Sequence, residues 1–90
     1  MKPFRWNEEK NSQLQMERGI RFEAALNAIL EGKTLDIIDH PNQYKYPNQR
    51  IFILEINQYV YLVPFVEDEQ EIFLKTMIPS RKMNKKYLGK

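Results

Sequence analysis

Side chains able to engage phosphate are concentrated at the end of this chain. An alternating apolar stretch, Ile72-Phe73-Leu74-Lys75-Thr76-Met77-Ile78, runs into Pro79-Ser80-Arg81-Lys82-Met83-Asn84-Lys85-Lys86-Tyr87, and Arg81 to Lys90 holds five Lys/Arg and no carboxylate. Each phosphate that such a segment neutralises releases counterions, so nucleic-acid backbones are its most favourable partners. The bland alternative is a solvated basic tail that only aids solubility. Arg81 and Lys82 leave a strand end, where a sheet can hold them in place. An arginine stays charged throughout and grips phosphate through two parallel hydrogen bonds. Lys85 and Lys86 extend the positive field without positioning it. Lys75, within the last strand, either snorkels to the sheet edge or enters a cleft as a phosphate contact. Arg50 opens an earlier strand as a further cation.

Cleaving RNA without a metal needs a base for the 2′-hydroxyl, cations for the phosphorane charge and an acid for the leaving 5′-oxygen. Arg81 and Lys82 are the strongest candidates for the charge, although Arg81 would equally cap a carbonyl or pair with a glutamate. His40 is the only histidine, which excludes a two-histidine mechanism; a lone loop histidine is either a turn residue or a catalyst. Glu55, in an apolar strand, is either the general base or the salt-bridge partner of Lys75. Tyr44, Tyr46, Tyr59 and Tyr61 offer faces on which bases stack, or else pack the sheet and loop; Tyr61 is the one assigned to RNA.

Other chemistries are poorly supplied. The absence of cysteine removes disulfides, thiolate zinc sites and cysteine nucleophiles. Gly19, Gly32 and Gly89 each sit at a helix end, so no glycine loop cradles phosphate. Metal-ligand spacing is missing too, and Glu67-Asp68-Glu69-Gln70-Glu71 reads as a solvated turn. The expectation is therefore no metal and no cofactor.

Ninety residues with a net charge of +2 make one domain, 1–90, with a basic C-terminal segment at 81–90. No apolar run approaches the roughly 20 residues of a membrane helix. Lys2, Arg5, Glu8, Glu9 and Lys10 stand where a signal peptide would be apolar. A cytoplasmic protein with no membrane contact is expected.

The elements that must position these side chains follow from periodicity and caps. Lys2 to Trp6 reads as a short strand with Phe4 and Trp6 on one face. Asn7 caps a polar helix from about Glu8 to Arg18, with Gly19 as its stop. A second helix, Phe22 to Glu31, buries Phe22, Ala25, Leu26 and Ile29 and stops at Gly32. Thr34 to Asp39 is a strand, and His40 to Gln49 is a loop bounded by prolines. Arg50 to Ile56 and Tyr59 to Val66 form a hairpin about Asn57-Gln58. Both are apolar on both faces, which implies helices on one side and a partner or further layer on the other. Pro64 argues for a bulge or an edge. Ile72 to Ile78 is the last strand, and Arg81 to Leu88 a short basic helix or a loose tail. Helices followed by strands indicate an α+β fold, an antiparallel sheet with two N-terminal helices packed on one face. The expected core is Phe4, Trp6, Leu14, Phe22, Leu26, Ile29, Leu54, Leu62 and Ile78.

Three stretches in order, Phe4-x-Trp6-Asn7-Glu8-Glu9-Lys10-Asn11, Gly19-Ile20-x-Phe22-Glu23-x-Ala25 and Ile78-Pro79-Ser80-Arg81-Lys82, resemble the BrnT family of bacterial toxins. That family commonly reads F-x-W-D-x-x-K-N, then G-I-x-F-E-x-A, and I-S-A-R-K-A before a basic helix. Here Asn7 replaces the aspartate and Pro79-Ser80 the Ser-Ala pair, and the His40 to Gln49 loop is richer in aromatics and proline. The resemblance implies a RelE-like α+β fold and a metal-independent ribonuclease that arrests translation. It also implies a cognate antitoxin with a ribbon-helix-helix DNA-binding region. The competing expectation is a non-catalytic module that binds such a DNA-binding partner. It is motivated by the lack of an evident acid–base pair and by the apolar sheet face, which predicts a homodimer or an antitoxin complex.

Overall fold

Local signals place the first helix. A computed structural model describes residues 2–90. In α1 (Glu8–Arg18) the Lys10 N–H donates to Asn7 Oδ1 at 2.9 Å, and Gly19 ends the helix at φ 65°. Both ends fall where the sequence puts them, because caps act within one turn. α2 (Phe22–Leu30) buries Phe22, Ala25 and Ala28, while Leu26 and Ile29 are only half-buried. Asn11, 0% exposed, ties the two helices together: it accepts from the Phe22 N–H at 2.7 Å and donates to Glu23 at 2.9 Å.

The strands are β1 (Phe4–Arg5), β2 (Thr34–Asp39), β3 (Arg50–Ile56), β4 (Tyr59–Glu67), β5 (Ile72–Leu74) and β6 (Ile78–Pro79). Their order is β1-β5-β4-β3-β2, with β6 also on β4. The β3–β4 hairpin turns at Asn57 and Gln58 with φ 53° and 63°. The sheet is not wholly antiparallel as expected. β1 runs parallel to β5, with Phe4 opposite Ile72, and the Ile72 N–H donates to the Pro3 carbonyl at 3.0 Å. Parallel pairing needs a long crossover between the strands, and the chain from α1 to β4 supplies it.

The last strand is also not continuous. Phe65 pairs with Leu74, but Leu62 pairs with Ile78, so residues 75–77 face only 63 and 64. One extra residue on that side is a bulge, and it lies opposite Pro64, which has no N–H to offer the ladder. The extra residue reverses the side-chain alternation. Met77 is therefore fully buried, and Ile78, expected in the core, is 39% exposed.

The main core packs Leu14, Ile20, Phe22 and Ala25 against Phe52, Leu54, Val63, Phe65, Leu74 and Met77. Phe4, Trp6 and Ile29 lie against its margin, and Leu62 is half-buried outside it. Helices are not confined to this face. α3 (Arg81–Leu88) crosses the opposite face from β4 to β2: the Val60 N–H donates to Asn84 Oδ1 at 3.0 Å, and Tyr87 Oη donates to Asp36 at 3.0 Å. Asp36 is paired with Ile53 and Ile53 with Leu62, so all three share the face beneath α3. There Ile53 and Val60 are 0% exposed. The second apolar face, for which a partner or a further layer was expected, carries the chain's own last helix.

Candidate functional site

α3 divides cleanly into an anchored side and a cationic side. Ser80 caps it, its Oγ accepting from the Met83 N–H at 3.1 Å, and Gly89 ends it at φ 72°. Asn84 is 3% exposed, and Met83, Tyr87 and Leu88 are half-buried. Arg81, Lys82, Lys85 and Lys86 are all exposed. At helical spacing these four occupy one contiguous face. None forms an ion pair with a carboxylate among the described residues.

The arrangement works against the helix. Arg81 with Lys85, and Lys82 with Lys86, are like-charge pairs four residues apart, each costing about 0.2–0.5 kcal/mol. Arg81 and Lys82 also sit at the positive end of the helix dipole with no acidic residue in the first turn. A bound polyanion would relieve both costs.

The remaining candidates divide between the two ends of the sheet. Glu55 pairs with Val60, and the Ser80 N–H donates to the Val60 carbonyl at 3.0 Å, so Glu55 and the start of α3 flank the same β4 residue. Tyr61 pairs with Pro79 and belongs to this end, but it packs on the main-core side, 6.2 Å from Tyr59. Glu55 lies on the α3 side by its pairing, and its N–H donates to the Lys33 carbonyl at 3.1 Å. It makes no salt bridge to Lys75.

Arg50 and His40 lie at the other end, Arg50 about 17 Å from Glu55 along β3 at roughly 3.3 Å per residue. Arg50 is engaged: its guanidinium meets Glu67 at 2.7 Å, and Lys2 meets the same carboxylate at 2.8 Å. The Lys2 hydrogen bond, then the charges of Lys2 and Arg50, hold the Glu67 pKa below the ordinary value. Asp68 is lowered as well, chiefly by the N–H groups of Gln70 and Glu71. The acidic block is therefore a hydrogen-bonded turn. His40 organises the loop: its Nδ1 accepts from the Asn42 N–H at 3.0 Å, and its ring lies 4.4 Å from that of Tyr46.

Lys75 joins neither group. Its N–H donates to the Pro64 carbonyl, four β4 residues from the Val60 contact of Ser80, about 13 Å along the strand. Its Nζ lies 5.4 Å from the Phe73 ring centroid, and Lys75 lines a shallow groove together with Asn7, Glu9, Lys10 and Gln13 of the first turns of α1.

Asn84 and Lys10 were not singled out by the sequence. Asn84 had one signal, a lone amide among Met83, Tyr87 and Leu88 on the apolar side of a basic helix. Lys10 stood in the Phe4 to Asn11 stretch that carries the family resemblance, but nothing tied it to Lys75, 65 residues away in the chain. Among the described residues no cluster of His, Asp and Glu is arranged to hold a metal ion, and no helix is long and apolar enough to cross a membrane. Compared with known families, curated proteins and solved structures, the chain matches none, so the likeness to BrnT toxins rests on the residues that carry it.

Proposed function

We propose that this chain is the toxin of a type II toxin–antitoxin pair, a RelE-like, metal-independent ribonuclease that inhibits translation and grips RNA through the cationic face of α3. The observation that carries this reading is the set of four exposed cations, unpaired by any carboxylate, on a helix anchored through Asn84 and Tyr87. A solubilising tail has no need of a capped and docked helix. Arg81 and Lys82 hold the phosphate and offset the phosphorane charge. Glu55, on the same side and end of the sheet, takes the 2′-hydroxyl proton, and the leaving 5′-oxygen takes its proton from solvent water. His40 and Arg50, at the far end, serve the fold. The cognate antitoxin, with its ribbon-helix-helix region, presents an acidic segment to α3.

A second reading, a non-catalytic module for a DNA-binding partner, is favoured by one observation: His40 and Glu55 stand at opposite ends of the sheet and form no acid–base pair. Expression without an antitoxin separates the two. The toxin reading requires growth arrest with cleaved transcripts, both lost in Arg81→Ala. Unchanged growth with intact RNA at high expression overturns it and leaves the binding module.

A further inference from the structure

A groove of about 640 Å³ lies between the first turns of α1 and the end of β5, lined by Asn7, Glu9, Lys10, Gln13, Phe73 and Lys75. Its charges are unbalanced: Lys10 and Lys75 face a single carboxylate, Glu9. Neither lysine forms an ion pair among the described residues. Phe73 is half-buried, and Lys75 Nζ sits 5.4 Å from its ring centroid, so an ammonium already stands over the aromatic face. The amides divide their roles. Asn7 spends its Oδ1 on the helix cap, which leaves its NH₂ to donate. Gln13 donates its NH₂ to Glu17 at 3.2 Å, which leaves its Oε1 to accept.

The groove beside Arg50, of about 660 Å³, has the opposite character. There Asp39, Glu67, Asp68 and Glu69 outnumber Lys2 and Arg50, and both cations are already held by Glu67. An anion has no reason to enter it.

We propose that the groove between α1 and β5 is a nucleotide site, distinct from α3, that takes one nucleoside 5′-monophosphate unit. Lys75 swings its ammonium off the Phe73 ring to take the phosphate with Lys10, the base stacks on the ring face so vacated, and the Asn7 and Gln13 amides meet its polar edge. Aromatic stacking and ammonium–phosphate contact together favour this class of ligand over a bare anion. The assignment does not depend on the chain being a ribonuclease, because a free nucleotide satisfies it.

Titration of the full ¹⁵N-labelled chain with uridine and adenosine 5′-monophosphates, followed by amide shifts, tests it. Inorganic phosphate and the two nucleosides are the comparison ligands. Saturable shifts are expected at Asn7, Lys10, Gln13, Phe73 and Lys75, with each nucleotide binding roughly tenfold tighter than phosphate or its nucleoside. Lys75→Gln, at an exposed position, should weaken the nucleotide and phosphate alike. Phe73→Leu, which keeps an apolar side chain, should erase the preference for nucleotide over phosphate while the melting temperature stays close to that of the intact chain. Equal affinity for phosphate and nucleotide, shifts confined to Arg81–Leu88, or no saturable shift would each overturn the assignment.

Discussion

Replacing Asn84 by alanine tests whether α3 is an anchored element of the fold. The Asn84 side chain is 3% exposed and accepts the N–H of Val60, a residue that is 0% exposed, at 3.0 Å. Alanine leaves that donor without a partner where water does not replace it, which costs about 1–3 kcal/mol. The second bond, from Asn84 to the Lys90 carbonyl at 3.1 Å, lies at an exposed end, where water substitutes. Alanine is the better helix former by up to about 0.7 kcal/mol, which offsets part of the loss. The net effect is a destabilisation of roughly 0.3–2.3 kcal/mol, read as a fall in melting temperature of about 4–8 °C per kcal/mol for a domain of this size. Asn84→Asp retains an acceptor for Val60 but buries a carboxylate that has no N–H for the Lys90 carbonyl, and should lose at least as much. Arg81→Ala, exposed and unpaired, should stay within about 0.5 kcal/mol. Urea and thermal unfolding of the three variants provide the measurement. An Asn84→Ala loss below about 0.3 kcal/mol would refute the docking, and with it the claim that the cations of α3 are held in place.

The bulge opposite Pro64 predicts that Met77→Ala costs about 2–5 kcal/mol, as a buried methionine should, whereas Ile78→Ala costs less than about 1 kcal/mol; the reverse order in urea unfolding would mean an unbroken strand. Glu67, Asp68 and Glu23 have pKa values below ordinary. A depressed folded value stabilises above the unfolded pKa and is lost as pH falls through the folded one. The melting temperature should therefore hold from pH 7 to about 5 and fall below about 4.5, less steeply in Lys2→Met; identical acid profiles would contradict the Lys2–Glu67 contact. Tyr87 is raised by burial and then by Asp36. Its contribution is complete below pH 10.0 and is lost above it, so Tyr87→Phe should flatten the alkaline end of the profile.

What was legible in the sequence was local. Asn7 and Gly19 mark α1 because each cap acts on the adjacent turn, and Asn57-Gln58 marks the hairpin because Asn tolerates positive φ. What was hidden depends on partners far along the chain. Ile72 to Ile78 alternates well enough to pass for one strand, and only its pairing with β4 shows Pro64 inserting a bulge that exchanges Met77 and Ile78. Pro64 itself did signal a bulge or an edge. The basic end read equally as tail or helix, since Met83, Tyr87 and Leu88 form a weak apolar side until Val60 and Asp36 give it something to bind. For the site, the cations were legible by type, but their grouping was not. Lys75 keeps company with Lys10, Arg50 with Glu67, and Arg81 with the end of the sheet that carries Glu55.

The central claim, that the docked cations of α3 engage RNA phosphates, is tested most directly by the salt dependence of single-stranded RNA binding. The intact chain is compared with a variant carrying Arg81→Gln, Lys82→Gln, Lys85→Gln and Lys86→Gln. If all four contact phosphate, the slope of log affinity against log salt should be about −2.8 from these residues, at roughly −0.7 per contact, and should flatten by that amount in the variant while the melting temperature holds or rises. A variant that stays folded and keeps the intact slope would contradict the account, because the phosphates would then be held elsewhere.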